Sequence, residues 1–189
     1  RATWSTAPMA EVTVEAHPST VTADDLQALA DAGFNRISFG AESMDDIDFR
    51  PIGRPGRVRD TERAVAAAQA AGLINIILDL MYGLPGQSLR SWTATLRSLL
   101  DLDPAHISCY ALTIEPGTAL ESDIALHRTP PLDDALQMDM ESTAEGLLTS
   151  AGFVRYEISN YARQGSASRH NLLHWTDQDY LGLGPSAQS

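Results

Sequence analysis

The sequence predicts an α/β fold, a partial TIM-type barrel truncated at its N-terminus, and three observations lead there. Short β-rich runs alternate with helical patterns, and strands separated by helices form the βα units of a parallel sheet. Within those runs polar and apolar residues alternate, so each strand has a face for the helices and a face for the barrel interior. The chain of 189 residues begins almost directly on a strand and stops soon after YLGLG, with no helix to close its last unit. We therefore expect residues 1–189 to form one incomplete core domain.

The strands are expected at EVTVEA (11–16), RISFGA (36–41), NIILDLMYG (75–83), HISCYALTI (106–114) and RYEISNYA (155–162), with YLGLG (180–184) as a sixth. Between the first two, Thr22 with Asp25 three residues on has the pattern of a capping box. Leu26, Leu29 and Ala30 share one face, and Gly33 suits the C-terminal stop. Residues 58–71 read as an Ala-rich helix closed by Gly72. Leu89, Trp92, Leu96, Leu99 and Leu100 form the buried stripe of another helix; Leu136, Met140, Leu147 and Leu148 form that of a further one. Residues 115–132, with Pro116, Gly117, Pro130 and Pro131, read as a long irregular loop, a kind of segment that often carries function.

Composition narrows the function classes. The 43% hydrophobic content is ample for a core. Against 25 acidic residues stand 13 basic ones, a formal charge of -12, which opposes binding to nucleic acid or to an anionic membrane surface. No run approaches the roughly 20 apolar residues of a bilayer span and the first residues lack a signal-peptide core, so we expect a cytoplasmic protein. The single Cys109 lies in an apolar run, where it reads as a small buried side chain. One cysteine cannot hold an iron-sulfur cluster.

The alternation of faces makes a sharper statement about the strand ends. Val12, Val14 and Ala16 belong under the helices, so Thr13 and Glu15 turn inward. In the second strand Ser38, Gly40 and Glu42 face in, and in the third Asp79 does. Three carboxylates thus converge on one mouth at the carboxyl ends of parallel strands, where barrels place their chemistry. Crowded carboxylates are costly unless water, cations or donors meet them, which points to a site. Arg54, just beyond the second strand, supplies either a balancing charge, a grip on a ligand carboxylate, or an ordinary surface residue. In YGLPG (82–86), Gly83 and Gly86 permit close backbone approach and Pro85 stiffens the turn. His170 and His174, four apart in RHNLLHW, would share one helix face and could bind a metal or a heme iron, or simply bridge loops at the rim. Trp175 and Tyr180 beside them read as core or rim aromatics.

Taken together, VEAHPST (14–20), GFNRISFGAES (33–43), IGRPG (52–56), LDLMYGLPGQS (78–88), ISCYALTIEPGT (107–118), YEISNYARQG (156–165) and HNLLHW (170–175) resemble the radical S-adenosylmethionine (SAM) heme chaperones of the HemW type, in order and spacing, across almost the whole chain. The first blocks are shared with the oxygen-independent coproporphyrinogen III oxidases; YEISNYA followed by HN and W is closer to the chaperone branch. The resemblance implies a (β/α)6 radical SAM core with SAM, a four-iron four-sulfur (4Fe-4S) cluster and heme as cofactors. It also implies heme and heme-accepting proteins as partners. It places SAM contacts at Glu15, Glu42, Arg54 and Asp79 and the heme contact at His170. It further implies that the family's CxxxCxxC loop and C-terminal domain lie outside these residues, so no metal ligand of the cluster is expected here. The sequence departs from the family at His17, where EAHP stands for EANP, at Glu42 in place of Gln, at His174 in place of Tyr, and at Gln188 in place of His. Two other readings remain: an oxidase that decarboxylates porphyrin propionates, and a divalent-metal barrel enzyme built on Glu15, Glu42, Asp79 and a histidine.

Overall fold

The chain winds strand and helix alternately, and the computed structural model describes it at residues 7, 9–131 and 133–187. The elements run β1 (Thr13–Ala16), α1 (Ala23–Asp31), β2 (Arg36–Glu42), α2 (Val58–Ala70), β3 (Ile76–Tyr82), α3 (Leu89–Leu100), β4 (His106–Ala111), α4 (Ala119–Ala125), α5 (Asp134–Ser150), β5 (Val154–Arg155), β6 (Asn160–Ala162) and α6 (Arg169–Trp175). One sheet holds all the strands in the order β1-β2-β3-β4-β6-β5. From β1 to β4 every pairing is parallel, in register Glu15↔Ser38, Gly40↔Asp79 and Asp79↔Ser108.

Local chemistry sets the helix starts. The Thr22 hydroxyl accepts from the Asp25 amide at 3.2 Å while the Asp25 carboxylate accepts from the Thr22 amide at 3.0 Å, the capping box the sequence predicts. Ser88 and Asp133 cap α3 and α5 through their side-chain oxygens. The helices cover the outer face of the sheet. Ile37, Phe39, Ala41, Leu78, Leu80 and Ile107 lie fully buried against Leu26, Val65, Leu96 and Leu148. Each such side chain contributes roughly 1.5–3 kcal/mol by leaving water. Trp92 anchors α3 to α5: its indole N–H donates to the Met140 carbonyl at 2.8 Å, and its ring lies 5.6 Å from that of Tyr82. Cys109 packs on this outer side, buried and free. Burial pushes its thiol pKa up, which suits a packing residue and not a ligand.

Four expectations are corrected. Residues 155–162 do not form one parallel strand. They fold into a hairpin of β5 and β6, and β6 runs antiparallel to β4. Only four residues separate Arg155 from Asn160, too few for a crossover, so reversal is the only connection available. The Tyr156 amide donates to the Asn160 carbonyl across the turn, and Arg155 reaches Glu141 at 2.6 Å and Glu145 at 3.0 Å on α5. The run at 180–184 forms no strand, and Leu181 and Leu183 are exposed. The 115–132 segment is not wholly irregular, because Thr118 caps the short helix α4, whose residues are all at least partly exposed. Leu89, placed in the apolar stripe of α3, is half-exposed at the helix start.

Candidate functional site

The inner face of the parallel strands is open and polar. It lines a cavity of about 550 Å³ whose wall includes Glu11, Thr13, Glu15, Ser38, Asp79, His106, Ser108, Asn160, His170 and Asn171. Along Glu15, Ser38 and Asp79 this cavity joins a second hollow of about 370 Å³ that adds His17, Gly40, Glu42, Arg54 and Tyr110. The three carboxylates predicted from strand parity therefore do face one lumen, and Arg54 stands with them.

Glu42 reaches the lumen by an unexpected route. A bulge between Gly40 and Glu42 leaves Ala41 as the extra residue and sets Glu42 opposite Leu80, whose side chain points to the helices. Glu42 compensates by taking a left-handed conformation, φ +59°, a strain that persists where surrounding bonds over-determine it. Those bonds are visible: Arg54 Nη2 lies 2.7 Å from Glu42 Oε1, and the Tyr110 hydroxyl donates to Glu42 Oε2 at 2.9 Å. Burial, then the charge of Glu42, pushes the Tyr110 pKa up, so the phenol stays a donor. Glycine at position 40 leaves room for this ion pair, because a Cβ there would sit 2.5 Å from Arg54 Nη2 and displace the guanidinium. The Glu42–Arg54 pair thus crosses the second strand in the space a side chain would otherwise fill.

Asp79 lies at the centre. Its Oδ2 accepts from the Ser38 hydroxyl at 3.0 Å. Burial raises its pKa, the bonds from Ser108 and Ser38 oppose the rise, and Glu42 and Glu15 add to it. Nearby, the His17 ring takes both the amide and the hydroxyl of Ser19 on Nδ1, at 3.2 and 2.9 Å. Its Nε2 is buried with no partner. Burial, then the charge of Arg54, lowers the His17 pKa, so its free nitrogen is a neutral N–H donor.

Deeper in the lumen a second polar group fixes α6. His106 is buried and its pKa falls to about 3, through burial and then the charge of Arg36. The Tyr156 hydroxyl accepts from the Ser168 amide at 3.3 Å and from the Asn171 amide group at 3.5 Å, so its own proton goes to His106 Nε2 at 2.8 Å. That assigns the His106 proton to Nδ1, which has no partner. Asn171 and Ser168 belong to the start of α6, so this network holds His170 over the lumen. His170 and His174 share one face of α6, as their spacing predicts, with their Nε2 atoms 3.2 Å apart. Tyr180 packs edge-on to His174, 4.3 Å between ring centroids, and Trp175 is exposed. Gln188 lies outside the described residues. Among the described residues no three His, Cys, Asp or Glu side chains form a metal-binding group, and no helix is long and apolar enough to cross a membrane.

Parity pointed to Glu15, Ser38, Glu42 and Asp79, but sequence reasoning missed Tyr110, Ser108, His106 and Tyr156. The YGLPG turn also carries a constraint: Gly83 has φ +75°, and a Cβ there would collide with Gln137 of α5. The Gln87 carbonyl oxygen accepts from the amides of Gly83 and Leu84 at 2.9 and 3.3 Å, while its amide group donates to Asp48 at 3.0 Å.

A lumen of polar residues at the carboxyl ends of parallel strands is shared by many barrels, and sequence comparison decides among them. The family described as the radical SAM superfamily matches residues 5–99. The chain belongs to the radical SAM superfamily. Membership implies SAM and a 4Fe-4S cluster as the cofactors. The chain is 43% identical over 180 residues to a protein of Escherichia coli named heme chaperone HemW, covering 94% of this chain and 46% of that one. It is 38% identical over 177 residues to the bovine "Radical S-adenosyl methionine domain-containing protein 1, mitochondrial", covering 94% of this chain and 40% of that one. The chain thus spans less than half the length of these relatives. Its fold superposes on the coproporphyrinogen III oxidase HemN of Escherichia coli with a TM-score of 0.79 and 24% identity, over 94% of this chain and 44% of the other. That likeness establishes the partial radical SAM barrel.

Proposed function

We propose that this chain is the central part of a heme chaperone, binding SAM at the open mouth of the lumen and heme at His170, farther along the same lumen, for transfer to client proteins in the cytoplasm. The observation that carries the reading is the pairing of two sites on one lumen: the charged cluster Glu15, Glu42, Arg54 and Asp79 at the strand ends, and His170 projecting over the same cavity from α6. The relatives named as heme chaperones align across both sites, at 43% and 41% identity for those of Escherichia coli and Haemophilus influenzae.

The cluster of side chains suits a zwitterionic ligand carrying a ribose. Asp79 and Glu15 offer acceptors for hydroxyl or ammonium donors, the unpartnered His17 N–H offers a donor, and Arg54 offers positive charge beside a carboxylate that already holds part of it. When bound, SAM would supply radical chemistry; these residues would bind and orient it. Thiolate ligands for an iron-sulfur cluster are not furnished by these 189 residues, whose one cysteine packs under the helices. His170 would offer an imidazole nitrogen to heme iron, with the His106–Tyr156–Asn171 network holding its helix in place.

Heme titration of the full-length protein, followed by the Soret band, tests this. His170→Ala is expected to weaken heme binding at least about tenfold, or 1.4 kcal/mol, through loss of the directional contact to iron. His174→Ala should cost less. Unchanged affinity in His170→Ala, or a larger loss in His174→Ala, overturns the assignment. Conversion of coproporphyrinogen by the same preparation would favour the oxidase instead.

A further inference from the structure

We propose that His170 and His174 form a chelating site for a divalent transition-metal cation of the zinc, nickel or copper class, on the helix that lies by the amino ends of the strands. The two Nε2 atoms face each other 3.2 Å apart. A metal 2.0–2.1 Å from both would subtend an angle of about 100° between them, close to tetrahedral. One proton bridges two neutral imidazoles in this arrangement, and the same two nitrogens can hold a metal ion in its place. The rings stand nearly perpendicular, 87° between planes, with centroids 4.7 Å apart. They arise from successive turns of one helix, so no backbone movement is needed to bring them together.

Two further features favour a cation here. His174 is braced by the Tyr180 ring, which limits its rotamers before any metal arrives. His170 lines the same cavity as Glu11, Glu15 and Asp79, whose negative field draws cations into it. No third His, Cys, Asp or Glu completes the group among the described residues. The remaining coordination positions are therefore left to water or to a ligand bound in the lumen, as in open rather than structural metal sites.

The site does not rest on the heme reading, and its geometry separates the two. Porphyrin nitrogens occupy the four equatorial positions of a heme iron, so a second imidazole must come from the opposite face. Nitrogens 3.2 Å apart on one helix face can only bind side by side. Both histidines can serve one non-heme ion, but only one of them can serve a heme.

The experiment uses metal alone on the full-length protein, comparing wild type with His174→Tyr and His170→Ala. Both residues are exposed on a short helix, so the variants should melt with wild type. Titration calorimetry with zinc should show one saturable site in wild type beyond those kept by the variants, with affinity falling at least about tenfold in each. Copper loaded to one equivalent should show nitrogen hyperfine splitting from two imidazoles in wild type and lose it in His174→Tyr. Identical zinc isotherms for wild type and His174→Tyr, or a copper spectrum unchanged by that substitution, would overturn the proposal.

Discussion

The Glu42–Arg54 pair should respond asymmetrically to losing one or the other partner. Glu42 is 3% exposed and Arg54 34%. Removing a partner from a buried pair costs about 3–5 kcal/mol because the surviving charge is stranded. Arg54→Met strands Glu42 in the protein wall with only the Tyr110 hydroxyl at 2.9 Å to satisfy it. That bond and the water of the open lumen soften the loss, to roughly 2–3 kcal/mol. Glu42→Gln strands Arg54 instead, but a guanidinium already a third exposed can turn to water, and Gln still offers an oxygen to Tyr110. Its cost should stay below about 1 kcal/mol, the range of exposed pairs. In the double variant no charge is stranded, so it should be more stable than Arg54→Met alone. Urea denaturation of the four proteins, read as a double-mutant cycle, measures this. If Glu42→Gln costs as much as Arg54→Met, or the double variant is the least stable of the four, burial does not control this pair.

Asp79 has a raised pKa in the folded state, so folding favours its protonated form, and the ionised carboxylate weakens the protein once the pH passes from the unfolded carboxyl range, about 4, through the raised value. Asp79→Asn should therefore melt above wild type at pH 7, with the difference closing toward pH 4; a melting difference independent of pH would contradict the cause given. Trp92→Ala removes a fully buried ring and its bond to the Met140 carbonyl, and should cost about 3–5 kcal/mol in chemical denaturation. A loss under about 1 kcal/mol would mean α3 and α5 are not joined through it.

Much of the fold follows from patterns that act locally. Two-residue alternation put Glu15, Ser38, Gly40 and Asp79 on the inner face because successive side chains of a regular strand point to opposite sides. Thr22 and Asp25 specified a helix start because both bonds of the capping box lie within four residues. The same patterns recur along the chain in the blocks that relate it to the radical SAM proteins.

Tertiary structure decided what alternation cannot express. Periodicity has no sign for strand direction, so the hairpin at 155–162 and the antiparallel β6 became visible only once β4 was there to pair with it. A bulge shifts register by one residue without changing composition, so the left-handed Glu42 and its bond to Arg54 were hidden in an ordinary-looking strand. His106 and Tyr156, fifty residues apart, meet because β4 and the turn before β6 enclose the same space. Spacing in sequence placed His170 and His174 on one face of a helix. Only the packed chain, by setting that helix over the acidic lumen with Tyr180 against one ring, determined what the two imidazoles are positioned to hold.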